Sequence, residues 1–106
     1  MENKVYNALI DMGSPIKAQG VPYIAEALRI YDSSADWLSI GTMDLYSKIA
    51  EKYRTTPARV ERGIRYVFDY TSKSGDPVAV EKYIGKNVKG KSNRLATFYI
   101  RLKQEG

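Results

Sequence analysis

The stretch LYSKIAEKYRTTPARVERGIRYVFDYTSKSG, residues 45–75, predicts two helices joined by a short, threonine-rich turn. In its first part, apolar side chains recur at helical spacing and should share one face: Leu45, Ile49, Ala50 and Tyr53. Thr55 and Thr56 then offer hydroxyls that can cap the next helix, and Pro57 suits its first position. We therefore expect helices over approximately residues 43–53 and 57–73.

The second of these helices is predicted to have two different faces. At about 100° per residue, five side chains fall on one arc and should pack: Val60, Ile64, Val67, Phe68 and Thr71. The opposite arc carries arginines and a tyrosine: Arg59, Arg62, Arg65 and Tyr66. Because a basic face is often only a solvated surface, the arginines alone do not indicate function. A small residue, Ala50, stands where the two helices must approach, and the charges cluster at the end that a helix-turn-helix presents to DNA.

The run LYSKIAEKYRTTPARVERGIRYVFDY closely resembles the C-terminal DNA-binding effector domain of the master sporulation response regulators, the stage zero sporulation protein A family. The shared pattern is L-Y-x-x-I-A-x-x-aromatic-x-T-T-x-x-R-V-E-R-x-I-R. Weaker similarity covers nearly the whole chain, including the turn at Met12 and Gly13 and the stretch KGKSNRL at residues 89–95. The resemblance implies sequence-specific binding of double-stranded DNA by a transcription regulator, with tandem copies on short boxes of the TGTCGAA type.

The resemblance also implies which residues contact DNA. Four residues of the second motif helix align with its base and phosphate contacts: Arg59, Glu61, Arg62 and Arg65. Arginine can donate to both O6 and N7 of guanine, and glutamate can accept from the N4 amine of cytosine. A box that contains G·C pairs is therefore expected. Contacts to the DNA backbone are expected from the turn and the outer helix face, at Thr55, Thr56 and Tyr66.

A second basic segment follows between Gly85 and Leu95, without an acidic residue. We expect it to clamp the sugar-phosphate backbone and to add affinity without sequence information. A solvated loop is the alternative interpretation. The residues expected to contact the backbone are Lys86, Lys89, Lys91, Ser92, Asn93 and Arg94.

The motif departs from the family pattern at several positions. Pro57 and Ala58 replace a small residue and a serine, which removes one hydroxyl that could contact phosphate. Gly63 replaces alanine inside the helix, at a cost of about 0.5–1 kcal/mol. Tyr66 replaces histidine on the groove-facing side, and Ser47 replaces proline in the first helix. These changes leave the recognised DNA sequence open.

Length and composition predict one all-α domain. The 106 residues suffice for a single core, and 43% of them are hydrophobic. Further helical patterns flank the motif, so we expect a compact bundle of about five to seven helices spanning residues 1–106. No apolar run approaches the ~18–20 residues of a membrane span, and no secretory signal is evident. A bacterial cytoplasm, at the nucleoid, is the expected location.

The chain contains neither cysteine nor histidine. Thiolate nucleophiles, disulfides, Cys/His zinc sites and histidine general bases are therefore excluded. The carboxylates are scattered without the paired spacing of a metal or acid–base site, and no glycine-rich phosphate loop is present. We expect no enzyme activity, no catalytic residue, no metal and no cofactor.

Charge is distributed unevenly along the chain. Residues 1–47 carry three basic and six acidic groups, residues 48–65 six and two, and residues 66–106 eight and four. The positive charge thus coincides with the motif and the segment after it, as expected for a protein that binds a polyanion. The acidic N-terminal part is expected to face away from DNA.

Assembly and context remain open at this level. No βα-repeated receiver segment is present, so the chain is either an excised effector domain or a freestanding homologue. Weak self-association or tandem binding on DNA is expected. The last helix is the expected contact through Leu95, Phe98, Tyr99 and Leu102, and the alternative is that these apolar groups are used in the domain's own core. The alternative function is a protein-interaction module that docks RNA polymerase sigma factor or interferes with the true sporulation regulator.

Overall fold

The computed structural model describes residues 1–85 and 91–105, with the backbone alone for residues 91–93. Within these ranges the chain is helical, and the prediction of an all-α bundle of five to seven helices is confirmed. A short 3-10 helix, Trp37–Ser39, separates the second and third α-helices. The α-helices are α1 (Glu2–Met12), α2 (Gly20–Asp32), α3 (Thr42–Tyr53), α4 (Pro57–Ser74), α5 (Pro77–Tyr83) and α6 (Lys91–Gln104). None of these helices is long and apolar enough to cross a membrane.

Helix α2 forms the centre of the bundle and packs against α1, α3, α4 and α6. Its closest approach is to α4, at two glycines. A Cβ on Gly20 would lie 2.0 Å from the carbonyl oxygen of Gly63, so only glycine fits at this crossing. A Cβ on Gly63 would come within 3.2 Å of the Tyr23 ring. Gly63, which the sequence indicates only as a loss of helix propensity, therefore permits a close contact between α2 and α4.

The two motif helices begin and end within one residue of the ranges expected from the sequence. All five residues predicted to form the packed arc of α4 are buried: Val60, Ile64, Val67, Phe68 and Thr71. On α3, Leu45, Ile49 and Ala50 are buried as expected. Tyr53 differs, because it lies at the end of α3 and stays partly exposed while its ring packs edge-on against Tyr23. Tyr46 is buried in its place.

Helix α6 contributes its apolar stripe to the domain's own core. Its four stripe residues are all buried: Leu95, Phe98, Tyr99 and Leu102. The ring of Phe98 packs edge-on against Phe68 of α4 and Tyr83 of α5, with centroids 6.2 Å apart in both pairs. Of the two alternatives that the sequence leaves for these residues, the structure shows the second: they are used in the core of one copy and are not exposed for a contact between copies.

Candidate nucleic-acid interface

The turn between α3 and α4 is closed by hydrogen bonds at both helix ends. Arg54 adopts a left-handed conformation, and the Thr55 N–H donates to the Ala50 carbonyl at 2.9 Å, which ends α3. Thr56 is the N-cap of α4, because its hydroxyl accepts from the Arg59 N–H at 3.2 Å. Pro57 occupies the first helical position, where its missing N–H has no cost. The predicted cap is thus confirmed, with Thr56 as the capping residue.

An ion-pair cluster ties the first motif helix to the core of the bundle. The Glu26 side chain on α2 is only 6% exposed, and it accepts from Arg29 at 2.9 Å and from Lys52 of α3 at 2.8 Å. The hydrogen bonds from Arg29 hold the pKa of Glu26 below its usual value. A buried carboxylate needs such partners to remain charged. Lys52 is therefore committed to holding α3 against α2.

The outward arc of α4 presents cations and an aromatic ring to solvent. Arg59, Arg62 and Tyr66 lie within an arc of about 60° and are all exposed, Tyr66 by 55%. The guanidinium groups of Arg59 and Arg62 make no hydrogen bond or ion pair with the residues that the structure describes. Since no described residue pairs with these two guanidinium groups, both are available to an external partner.

Glu61 and Arg65 lie at the edge of this arc, closer to α3. Their charged groups form an ion pair at 3.7 Å one helical turn apart, and the Glu61 side chain is only 21% exposed. The neighbouring Tyr46 hydroxyl is buried, which together with the charge of Glu61 raises its pKa to about 12. Glu61 is therefore less accessible than the three other residues expected to contact bases.

The loop between α1 and α2 lies beside the outer face of α4. It is anchored at Ser14, whose hydroxyl is 2.8 Å from the Thr71 hydroxyl in the interior. Lys17 is exposed, and the loop lines a shallow depression of about 580 Å³ together with Gly63 and Tyr66. Residues 1–47 are expected from the sequence to face away from DNA. The fold nevertheless places Lys17 of this loop beside Gly63 and Tyr66 of the arginine-bearing helix.

A second shallow depression, of about 480 Å³, follows the same helix toward its C-terminus. It is lined by Arg62, Arg65, Tyr66, Asp69, Tyr70 and Lys73. The rings of Tyr66 and Tyr70 are 6.1 Å apart and tilted by 42°. Tyr66 lies between the two depressions and so occupies the middle of a continuous exposed surface. Tyr70 and Lys73 were not expected at the site, although their spacing from Tyr66 would have placed them on its face.

The downstream basic segment lies largely outside the described residues. Lys86 and Lys89 fall outside them entirely, as do the side chains of Lys91, Ser92 and Asn93. Arg94 is described, and its guanidinium pairs with Asp69 of α4 at 2.8 Å and lies over the Phe68 ring. With only 12% of its side chain exposed, Arg94 is engaged within the domain.

These elements define a class of protein. A capped turn fixes α4 relative to α3. Helix α4 buries one side in the core, and its other side exposes Arg59 and Arg62, which have no polar partner among the described residues. This is the arrangement of a helix-turn-helix DNA-binding regulator. A family model agrees: that of the sporulation initiation factor Spo0A C-terminal domain matches residues 5–101. The chain belongs to this family, whose domain is a DNA-binding effector domain and not a catalytic one.

Proposed function

We propose that this chain is a sequence-specific binder of double-stranded DNA that regulates transcription at the bacterial nucleoid, without a cofactor. The proposal depends on one observation: the guanidinium groups of Arg59 and Arg62, near the start of α4, are exposed and have no polar partner in the part of the chain that the structure describes. Arginines that contribute no contact within their own domain are suited to a polyanionic partner.

The dimensions of α4 support binding in the major groove. A helix with its side chains is about 10–12 Å across, and the major groove is about 12 Å wide. The 18 residues of α4 extend over ~27 Å, so a helix inserted at its N-terminal end brings only the first turns to the base edges. Arg59 and Arg62 belong to those turns.

The side-chain chemistry supports a box that contains G·C pairs. The planar forks of Arg59 and Arg62 can each donate two hydrogen bonds to O6 and N7 of guanine. Glu61 can accept from the N4 amine of cytosine. Its ion pair with Arg65 fixes both side chains at the edge of the same surface. Arg65 is then directed to a guanine or to a phosphate at the border of the box.

Contacts to phosphate would orient α4 in the groove. The Thr56 oxygen accepts from the Arg59 N–H, so the hydroxyl proton remains free to donate to a phosphate. Thr55 and Tyr66 complete this set, and Lys17 adds a cation from the neighbouring loop. On the sequence evidence, the segment from Lys86 to Asn93 serves as a further clamp on the backbone.

A single copy would read only a few base pairs. Useful specificity from one recognition helix therefore needs a second copy on an adjacent box. Since the apolar stripe of α6 is buried, copies would communicate through other surfaces or through the DNA between them.

The function is tested by selecting bound sequences from random duplex DNA and then titrating the selected box. Arg59→Ala and Arg62→Ala should each weaken binding by about 5- to 150-fold, which corresponds to about 1–3 kcal/mol, and should relax the preference at one base pair. Lys4→Ala is the matched control, because it removes one exposed charge on α1 without touching α4. Failure of the parent protein to bind any duplex would contradict the proposal and favour docking to an acidic protein such as sigma factor.

A further inference from the structure

Arg54, in the turn between α3 and α4, has an unfavourable backbone conformation. Its φ of 54° and ψ of 49° lie in the left-handed region, and among the described residues it is the only one besides glycines with positive φ. Side chains with a Cβ are disfavoured there, because the Cβ approaches the following carbonyl oxygen. Arginine also lacks the short polar side chain that lets asparagine tolerate this region.

The geometry of the turn does not require an arginine. In this turn the Arg54 N–H donates to Glu51 and the Thr55 N–H to Ala50, the pattern that ends many helices. Helix α1 ends with the same two hydrogen bonds, and there the left-handed residue is Gly13, with φ of 78°. Glycine at position 54 would therefore close the turn at lower cost.

The Arg54 side chain also has no polar partner within residues 1–85 and 94–105. It is exposed and forms no hydrogen bond or ion pair with the residues that the structure describes. Lys52, the nearest cation on α3, is instead committed to Glu26 at 2.8 Å. An unpaired cation thus occupies a strained position two residues before the cap of α4.

We propose that Arg54 binds a phosphate of the DNA backbone at the edge of the groove that α4 enters. This inference rests on the proposed function. In a helix-turn-helix the first helix crosses the backbone while the second lies in the groove, so the turn that joins them borders a phosphate strand. Arg54 would then be retained for its charge, and the backbone strain would be its cost in the free protein.

Four substitutions separate the charge from the strain. Arg54→Gly removes both, Arg54→Asn removes the charge and only part of the strain, Arg54→Ala removes only the charge, and Arg54→Lys keeps both. Arg54→Gly should raise the melting temperature by about 4 °C or more, and Arg54→Asn should raise it by less. Arg54→Ala and Arg54→Lys should leave it nearly unchanged.

Binding to DNA should follow the charge instead. The Gly, Asn and Ala variants should each bind about three- to tenfold more weakly, equally on the selected box and on random duplex, and the slope of log K against log salt should fall by about 0.9. Base preference should stay the same, and Arg54→Lys should bind nearly as the parent does. The predicted signature of Arg54→Gly is therefore greater stability with weaker binding.

Three outcomes would overturn the inference, and they differ in what else they overturn. If Arg62→Ala weakens binding but Arg54→Gly binds as tightly as the parent with an unchanged salt slope, Arg54 makes no phosphate contact while the proposed function stands. If the parent binds no duplex DNA, both fail together. A changed base preference in Arg54→Gly would also contradict a backbone contact.

Discussion

Replacing Gly20 with alanine tests the helix crossing that orients α4. The added Cβ would lie 2.0 Å from the carbonyl oxygen of Gly63 and 2.4 Å from its carbonyl carbon, whereas real Cβ contacts essentially never fall below 3.0 Å. Both atoms belong to the backbone, so no side-chain rotation relieves the overlap and the helices must separate by about 1 Å. We expect a loss of about 3 kcal/mol in the free energy of unfolding, in the upper range of overpacking.

Thermal and urea unfolding followed by circular dichroism measure this loss, which should lower the melting temperature by roughly 10–20 °C. Gly41→Ala is the control, because its Cβ meets no atom within 4 Å and its φ of −69° suits alanine. That variant should remain within about 0.5 kcal/mol of the parent. The loss of stability in Gly63→Ala should lie between those of the Gly20 and Gly41 variants, since its added Cβ meets the Tyr23 ring at 3.2 Å. Equal stability of the Gly20 and Gly41 variants would refute the close crossing of α2 and α4.

Three further predictions concern binding and pH. Lys17→Ala should weaken binding to the selected box and to random duplex by a similar factor of about three, whereas Lys4→Ala should leave both affinities unchanged. If titrations showed the same loss of affinity for Lys17→Ala and Lys4→Ala, a local contact of Lys17 with DNA would be excluded. The hydrogen bonds from Arg29 hold the pKa of the Glu26 carboxyl below its usual value of 4.5, so the ionised Glu26 carboxylate stabilises the fold at higher pH. This stabilisation is lost as the pH falls through the lowered pKa. Glu26→Gln should therefore show a shallower fall of melting temperature than the parent between about pH 5 and pH 3, and parallel curves would refute this assignment. Two copies of the protein should bind cooperatively to a duplex whose two boxes are about 10 bp apart. Binding isotherms that stay identical when this spacing is changed by half a helical turn would contradict communication between the copies.

The sequence predicts those features that depend on local periodicity. The buried arc of α4 follows from residue spacing alone, because a helix repeats its faces every 3.6 residues whatever packs against it. The cap at Thr56 is equally local, since its hydroxyl reaches a backbone N–H three residues ahead. Tyr53 shows the limit of this reasoning. It lies on the predicted face but at the end of α3, where the core no longer covers it.

Features that depend on contacts distant along the chain could not be predicted in the same way. The role of Gly63 becomes clear only when α2 crosses α4 at Gly20. Arg94 belongs to a basic segment by sequence, yet the packing of α6 against α4 gives it a carboxylate partner. Lys17 lies in an acidic region by sequence, but the fold brings its loop to Tyr66. Charge along the chain therefore identifies the surface around α4 only in part.

The most direct test of the central claim, that the outer face of α4 reads base edges, is a double-mutant cycle between Arg62→Ala and single base-pair changes in the selected box. Binding free energies are measured for both proteins on every changed duplex. We predict a coupling energy of about 1–3 kcal/mol at one G·C pair and values near zero at the other positions. Additive losses at every position would contradict base readout by Arg62 and would reduce its role to a contact with the DNA backbone.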